Sequence, residues 1–199
     1  STGDGQGLRD WVEDVTTDEA LGNVPWLDTS AASRFVGHMR TAPLDRVSPR
    51  ERVGGAAPRG DWKPTYDEKD PFHETFVMLG FLAAVTKRIR LSSGVLISPQ
   101  RQTGLIAKQA AEVDVLSGGR LRLGIGVGWN HVEYEALDTE WKTRGARQAE
   151  QIEVMRQLWS GNVVNFSGRF HKLEAVTVVP PPVQRPIPIW VGGVSEGAI

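Results

Sequence analysis

Leu121-Arg122-Leu123-Gly124-Ile125-Gly126-Val127-Gly128 is the stretch on which the fold turns. Side chains in a strand point alternately to opposite faces, so Leu121, Leu123, Ile125 and Val127 share one face and Gly124, Gly126 and Gly128 the other. The apolar face reads as core. Glycine weakens a strand, so three on one face call for the close approach of a ligand or of another backbone. Two readings follow: a flat ring lying against the strand, or a bulge or tight packing beside a neighbouring strand. A dinucleotide-binding fingerprint would need glycine at position 129, where Trp129 stands.

Working outward, the residues on either side alternate between helix and strand signals. Upstream, Thr103 to Leu116 reads as a helix with Ile106, Ala110 and Val113 on its buried stripe and Gly118-Gly119 as its left-handed stop. Before it, Ile89 to Ile97 reads as a strand halted by Pro99. A helix is expected ahead of that strand, with Asp70 as N-cap, Pro71 in the first position, and Phe72, Phe76, Leu79 and Ala83 recurring on one face. It should end near Thr86 to Arg88, where basic residues suit the negative end of the helix dipole. Downstream, Arg144 to Trp159 reads as a helix with Ala149, Ile152, Met155 and Trp159 inward, ended by Gly161. Val163 to Phe166 and Phe170 to Leu173 flank Ser167-Gly168 as a hairpin, and after Pro180 to Pro182 a short strand, Ile187 to Val191, runs into Gly192-Gly193. Strands separated by helices imply a parallel sheet, so the fold class is α/β, with parallel strands near 89–97, 121–127 and 187–191.

Residues 1–68 read differently. They carry Pro/Gly-rich runs such as Val53-Gly54-Gly55-Ala56-Ala57-Pro58, one short amphipathic helix over Leu8 to Val15, and no strand pattern. The expected division is an irregular N-terminal segment, 1–68, and a folded domain, 69–199, with the hairpin as an insertion near 162–178.

Composition narrows the function. With 23 Lys plus Arg against 24 Asp plus Glu in 199 residues, the formal net charge of -1 speaks against a dedicated nucleic-acid binder. The absence of cysteine excludes thiol catalysis, thiolate metal sites and disulfides. The sequence has neither a long apolar run nor a secretion signal, so no membrane partner is expected and cytoplasmic localisation is the default. A start at Ser1 suggests a processed, tagged or incomplete product. The histidines at 38, 73, 131 and 171 do not pair at metal-ligand spacing, so no metal site is expected. His73 is the best candidate for a proton donor, against the plainer reading of a surface histidine. Ser92-Ser93-Gly94-Val95 permits an unusual backbone, and such backbone gathers at ligand sites, although taken alone it reads as an ordinary bulge. Val191-Gly192-Gly193-Val194-Ser195 is a strand end followed by a Gly-Gly turn and a helix start, a natural place for an anion.

Six blocks in order, Asp70-Pro71-Phe72, Leu82 to Leu91, Ala107 to Asp114, Leu116 to Arg120, Gly124 to Trp129 and Pro186 to Gly193, resemble the bacterial luciferase-like monooxygenases, and most closely the branch of oxidoreductases dependent on coenzyme F-420. The resemblance implies a TIM-type (β/α) barrel with a flavin or deazaflavin at the C-terminal ends of its strands. It further implies a backbone bulge, often a cis peptide, at Ser93-Gly94-Val95 behind the ring. By the same carry-over Gly126, Gly128 and Trp129 edge the ring pocket, while Gly192, Gly193 and Ser195 approach the phosphate. No catalytic residue carries over, because family members present a histidine or aspartate on an early strand and His38 has no strand-like context. The first strands and the last barrel units are unmatched, so a partial barrel is expected.

The resemblance makes the first functional reading an oxidoreductase that transfers hydride between coenzyme F-420 and a small organic substrate, with FMN and oxygen chemistry as the alternative. A reading of another class is a truncated, non-catalytic flavin-binding or scaffold remnant. Open parallel edges and the resemblance both point to a homodimer.

Overall fold

The structure, a computed structural model, describes Arg46–Val47 and residues 72–192. The expected helix at Leu8 to Val15, and His38, Asp70, Pro71, Gly193 and Ser195, lie outside the described residues.

The described chain forms a parallel sheet with helices packed on it. Strand β1, Arg46–Val47, pairs in parallel with β2, Arg90–Ser92; β2 pairs with the start of β4, Leu121–Gly126. Strand β3, Leu96–Ile97, pairs with the end of β4 on the same side, and β7, Ile189–Val191, pairs with its other side. Every pairing in this sheet is parallel, as in part of the TIM-type barrel that the resemblance implies. The sequence reading found no strand before residue 69. Strand β1 corrects it: two residues are too few to carry a pattern, and only pairing with β2 reveals them.

Among the described residues four helices accompany the strands: α1, Thr75–Val85; α2, Thr103–Leu116; α3, His131–Ala136; and α4, Arg144–Leu158. Helix α2 has the expected bounds, and Gly118 and Gly119 end it at φ 63° and 83°, values that glycine adopts without a Cβ penalty. Helix α1 starts later than the Asp70-Pro71 pattern predicts. Phe72 to Glu74 are not helical, and the Glu74 carboxylate caps the helix by accepting from the Val77 amide at 2.6 Å. Its other end is held not by Lys87 or Arg88 but by Arg120, which donates to the carbonyls of Ala83, Thr86 and Ile89. A guanidinium reaching in from beyond α2 satisfies carbonyls that the helix leaves open.

Leu91, Leu96, Leu121, Leu123 and Ile125 of the sheet, with Leu79, Ile106, Ala107 and Ala110 from α1 and α2, make the apolar core. Trp159, fully buried at the end of α4, donates its indole N–H to the Ala107 carbonyl at 2.9 Å. Helix α4 departs from its expected face only in part. Ala149 is exposed and Ile152 half-buried, while Gln148 and Gln151 are buried beside Val154, Met155 and Leu158. Met155 and Trp159 face inward as expected; hydropathy misses the two glutamines, which turn inward because Gln148 bonds the Ser98 hydroxyl and Gln151 the Ser98 and Arg101 carbonyls.

The hairpin forms as β5, Val164–Ser167, and β6, Lys172–Val176, paired antiparallel. Its turn is longer than Ser167-Gly168, running from Gly168 to His171 and closed by the Gly168 amide on the His171 carbonyl.

Candidate functional site

The expected strand at Ile89 to Ile97 is interrupted. Between β2 and β3, Ser93-Gly94-Val95 leaves the ladder, and the Gly94–Val95 peptide is cis. The bulge turns toward β4: the Ser93 hydroxyl donates to the Gly124 carbonyl at 2.7 Å, and a Cβ on Gly124 would overlap the Ser93 carbonyl oxygen. A Cβ on Gly126 would stand 2.8 Å from Val95 Cγ2, and one on Gly192 would stand 3.0 Å from Val95 Cγ1. Three glycines on two strands therefore make a seat for one short segment.

This settles what lies directly on the glycine face of β4. It is protein, the Ser93–Val95 bulge, and not a ring in contact with the strand. Of the two readings of the glycine face, the close approach of neighbouring protein is the one these contacts bear out at Gly124 and Gly126. Gly128 has a separate reason for being glycine, since its φ is 70° and an added Cβ would meet Ile97 Cγ2 at 3.0 Å. Ser93, Gly94, Val95, Gly126 and Gly192 are thus brought together, with Gly128 and the exposed Trp129 on the loop just beyond.

That loop leaves the C-terminal end of β4 and is braced from below. The buried Tyr134 donates its hydroxyl to the Val127 carbonyl at 2.6 Å, and burial pushes that hydroxyl's pKa up, against the nearby Arg144 charge. Asn130 caps α3 through Val132 and donates to Glu133 Oε1 at 2.9 Å, while Gln100 donates to Glu133 Oε2 at 3.2 Å. A buried carboxylate thereby ties the loop after β4 to Ser98–Gln100, the 3-10 turn after β3. The turn is also gripped from α4, where Gln148 donates to Ser98 Oγ at 3.1 Å and Gln151 to the Ser98 carbonyl at 3.1 Å. Trp141 adds an aromatic brace, edge-on to Tyr134 at 5.0 Å and covered by the Arg144 guanidinium at 3.6 Å.

Of the histidines, His73 is exposed and precedes α1 rather than sitting in its first turn. His131 begins α3. His171, which the sequence reading left unassigned, sits in a polar chain with Glu150 and Thr103. Among the described residues no group of three His, Cys, Asp or Glu side chains is placed to hold a metal ion, and no helix is long and apolar enough to cross a membrane.

The bulge between two parallel strands and the six sequence blocks meet in one family, whose profile, described as luciferase-like monooxygenase, matches residues 56–199. The chain belongs to the luciferase-like monooxygenase family. An uncharacterized protein of Mycobacterium tuberculosis is 40% identical over 129 residues, 65% of this chain and 44% of that protein. An FMNH(2)-dependent dimethylsulfone monooxygenase of Pseudomonas putida is 32% identical over 133 residues, 65% of this chain and 36% of that enzyme. The chain therefore spans less than half the length of these luciferase-like relatives. Among solved structures, a monooxygenase from Streptomyces bottropensis superposes with a TM-score of 0.57 at 33% identity, covering 59% of this chain and 36% of that one. The coenzyme F-420-dependent tetrahydromethanopterin reductase of Methanopyrus kandleri shares the fold, with a TM-score of 0.55 at 22% identity over 61% of this chain and 39% of that one.

Proposed function

We propose that the described region is the ring-binding part of an oxidoreductase that uses a flavin-type coenzyme on a small organic substrate. The observation that carries this reading is the Ser93–Val95 bulge, set into a seat of Gly124, Gly126 and Gly192, with Gly94 and Val95 half-buried. A rigid apolar step of this kind, with Val95 wedged between two glycines, suits the flat face of an isoalloxazine or deazaflavin ring. The coenzyme supplies the redox chemistry when bound; the chain supplies orientation and exclusion of water. Gly192, with Gly193 and Ser195 following it, would approach the phosphate.

Of the two coenzymes, reduced FMN is favoured by the Pseudomonas putida relative, whose name states that dependence and whose identity to this chain exceeds that of the F-420 reductase. Coenzyme F-420 is the second reading, favoured by the six sequence blocks. Anaerobic titration of the protein with each coenzyme, followed by ring fluorescence, tests both: saturable one-to-one binding of one supports the reading and chooses between them. Indifference to both defeats it, and leaves the non-catalytic scaffold. We further propose a homodimer in the cytoplasm; the mass in solution tests the first part.

A further inference from the structure

We infer that the hairpin β5–β6 is a strap that holds the rim of the candidate site in shape, with Glu150, His171 and Thr103 as its latch. The inference rests on the proposed coenzyme site for its functional consequence, but not for its geometry. Glu150 of α4 receives four donors from the hairpin turn: the amides of Arg169, Phe170 and His171 and the imidazole Nδ1 of His171, each at 2.8 Å. The carboxylate lies so close that a Cβ on Gly168 would stand 2.6 Å from Glu150 Cδ. On the far side of the ring, His171 Nε2 meets Thr103 Oγ1 at 2.6 Å, and Thr103 Oγ1 accepts from Gln151 Nε2 at 3.0 Å.

The donor order is set by chemistry. A carboxylate only accepts, so His171 Nδ1 carries a proton and donates. Thr103 Oγ1 accepts from Gln151, and in the neutral imidazole its hydroxyl donates to the bare His171 Nε2. The polar chain runs Gln151 to Thr103 to His171 to Glu150 with each donor used. The same Gln151 amide also reaches the carbonyls of Ser98 and Arg101, at 3.1 and 3.2 Å. These carbonyls belong to the turn directly after β3, on the strand-end side where the bulge and the loop after β4 meet. The hairpin tip is thus wired, through two side chains, to the rim.

Apolar contact cannot do this work alone. Of the hairpin strands only Val164 is buried, Phe166 and Leu173 are half-buried, and the rest of β6 is largely exposed. Glu150, His171 and Thr103 act as positioning residues.

Hydrogen exchange on the whole chain tests the strap, read at the hairpin-turn amides and at the Arg101 amide, which bonds to the Ser98 carbonyl at 3.0 Å and reports the rim. In Glu150→Gln the amides of Arg169, Phe170 and His171 should exchange at least about ten-fold faster, and the Arg101 amide should follow. Thr103→Val, which cuts the chain at its centre, should loosen Arg101 as well, while Thr103→Ser should restore wild-type exchange. FMN affinity should fall about five-fold in Thr103→Val and recover in Thr103→Ser. Acceleration confined to the hairpin turn, with Arg101 unchanged, overturns the strap. If Glu150→Gln does not fold, an unchanged Arg101 amide in Thr103→Val overturns it alone. A wild type that binds neither coenzyme refutes the proposed function, while the Arg101 amide still decides the strap.

Discussion

Two neighbouring regions of the molecule are held by different forces. Where α1 and α2 meet β2, β3 and β4, contact is apolar: Leu79, Ile106, Ala107, Ala110, Leu121, Leu123 and Ile125 are all sealed from solvent. Where α4 meets the turn after β3 and the hairpin, the buried groups are Gln148, Gln151, Ser98 and Thr103, joined by hydrogen bonds. The first kind of contact is tolerant of direction and strong in sum; the second is weak in sum but fixes atoms in place. The contrast teaches that apolar packing supports the sheet while the polar contacts fix the turn after β3, the rim of the proposed site.

Trp159 should give the largest effect, because it closes the apolar region and also carries a buried hydrogen bond. Trp159→Ala should cost about 3–5 kcal/mol, read as a loss of unfolding free energy in urea. A smaller loss would mean that the cavity collapses and that the apolar region is less rigid than its packing implies.

Gln151→Leu comes next and probes the polar region. It keeps the volume but removes the donor shared by Ser98, Arg101 and Thr103, taking this bond from the half-buried Arg101 carbonyl and leaving the Ser98 carbonyl only the Arg101 amide, and should cost about 1–2 kcal/mol. Faster exchange at the Arg101 amide should accompany it. A neutral result would place the rim's order elsewhere than in this amide.

Glu150 predicts a pH dependence. Partial burial pushes its carboxyl up, but the His171 hydrogen bond and the amides of Phe170, Arg169 and His171 outweigh this and hold it below the ordinary range. A depressed folded-state value means that its contribution is present above the unfolded value and is lost as pH falls through the folded one. Protection of the hairpin-turn amides should therefore persist at neutral pH and disappear only below the usual carboxylate range of about 4.3. Loss of protection already near neutrality would contradict the four-donor geometry.

The smallest effect is expected at Val77, on the outer face of α1 and 74% exposed. Val77→Ala should change stability by no more than about 0.5 kcal/mol in thermal unfolding. A larger change would show that this face is covered in solution.

The same contrast explains what could be read in advance. Helix α2 was legible to its ends because Ile106, Ala110 and Val113 repeat at helical spacing and Gly118-Gly119 stop it. The alternation in β4 located the core, and its glycines announced a close approach, although hydropathy alone left open whether a ring or a backbone came near. On α4, Met155, Trp159 and in part Ile152 face inward as expected, but Gln148 and Gln151 take the place given to Ala149, because a buried glutamine looks like a surface one until its partners are known. Helix α3, six residues long, carried no periodic signal. The latch escaped for a related reason: Thr103, Glu150 and His171 lie far apart in sequence, and only the hairpin brings them together.

Gly126→Val tests the seat and the site at once. An added side chain must displace Val95, whose Cγ2 stands 2.8 Å from the place a Cβ would take, so the bulge cannot keep its position. Coenzyme titration of wild type and variant, set beside thermal unfolding without coenzyme, is the decisive measurement. The expected result is a wild type that binds FMN or coenzyme F-420 saturably and a variant that remains folded, destabilised by about 1–3 kcal/mol, and no longer binds. A folded variant with lowered stability and unchanged coenzyme affinity would contradict the account, by showing that the glycines and the bulge serve packing alone.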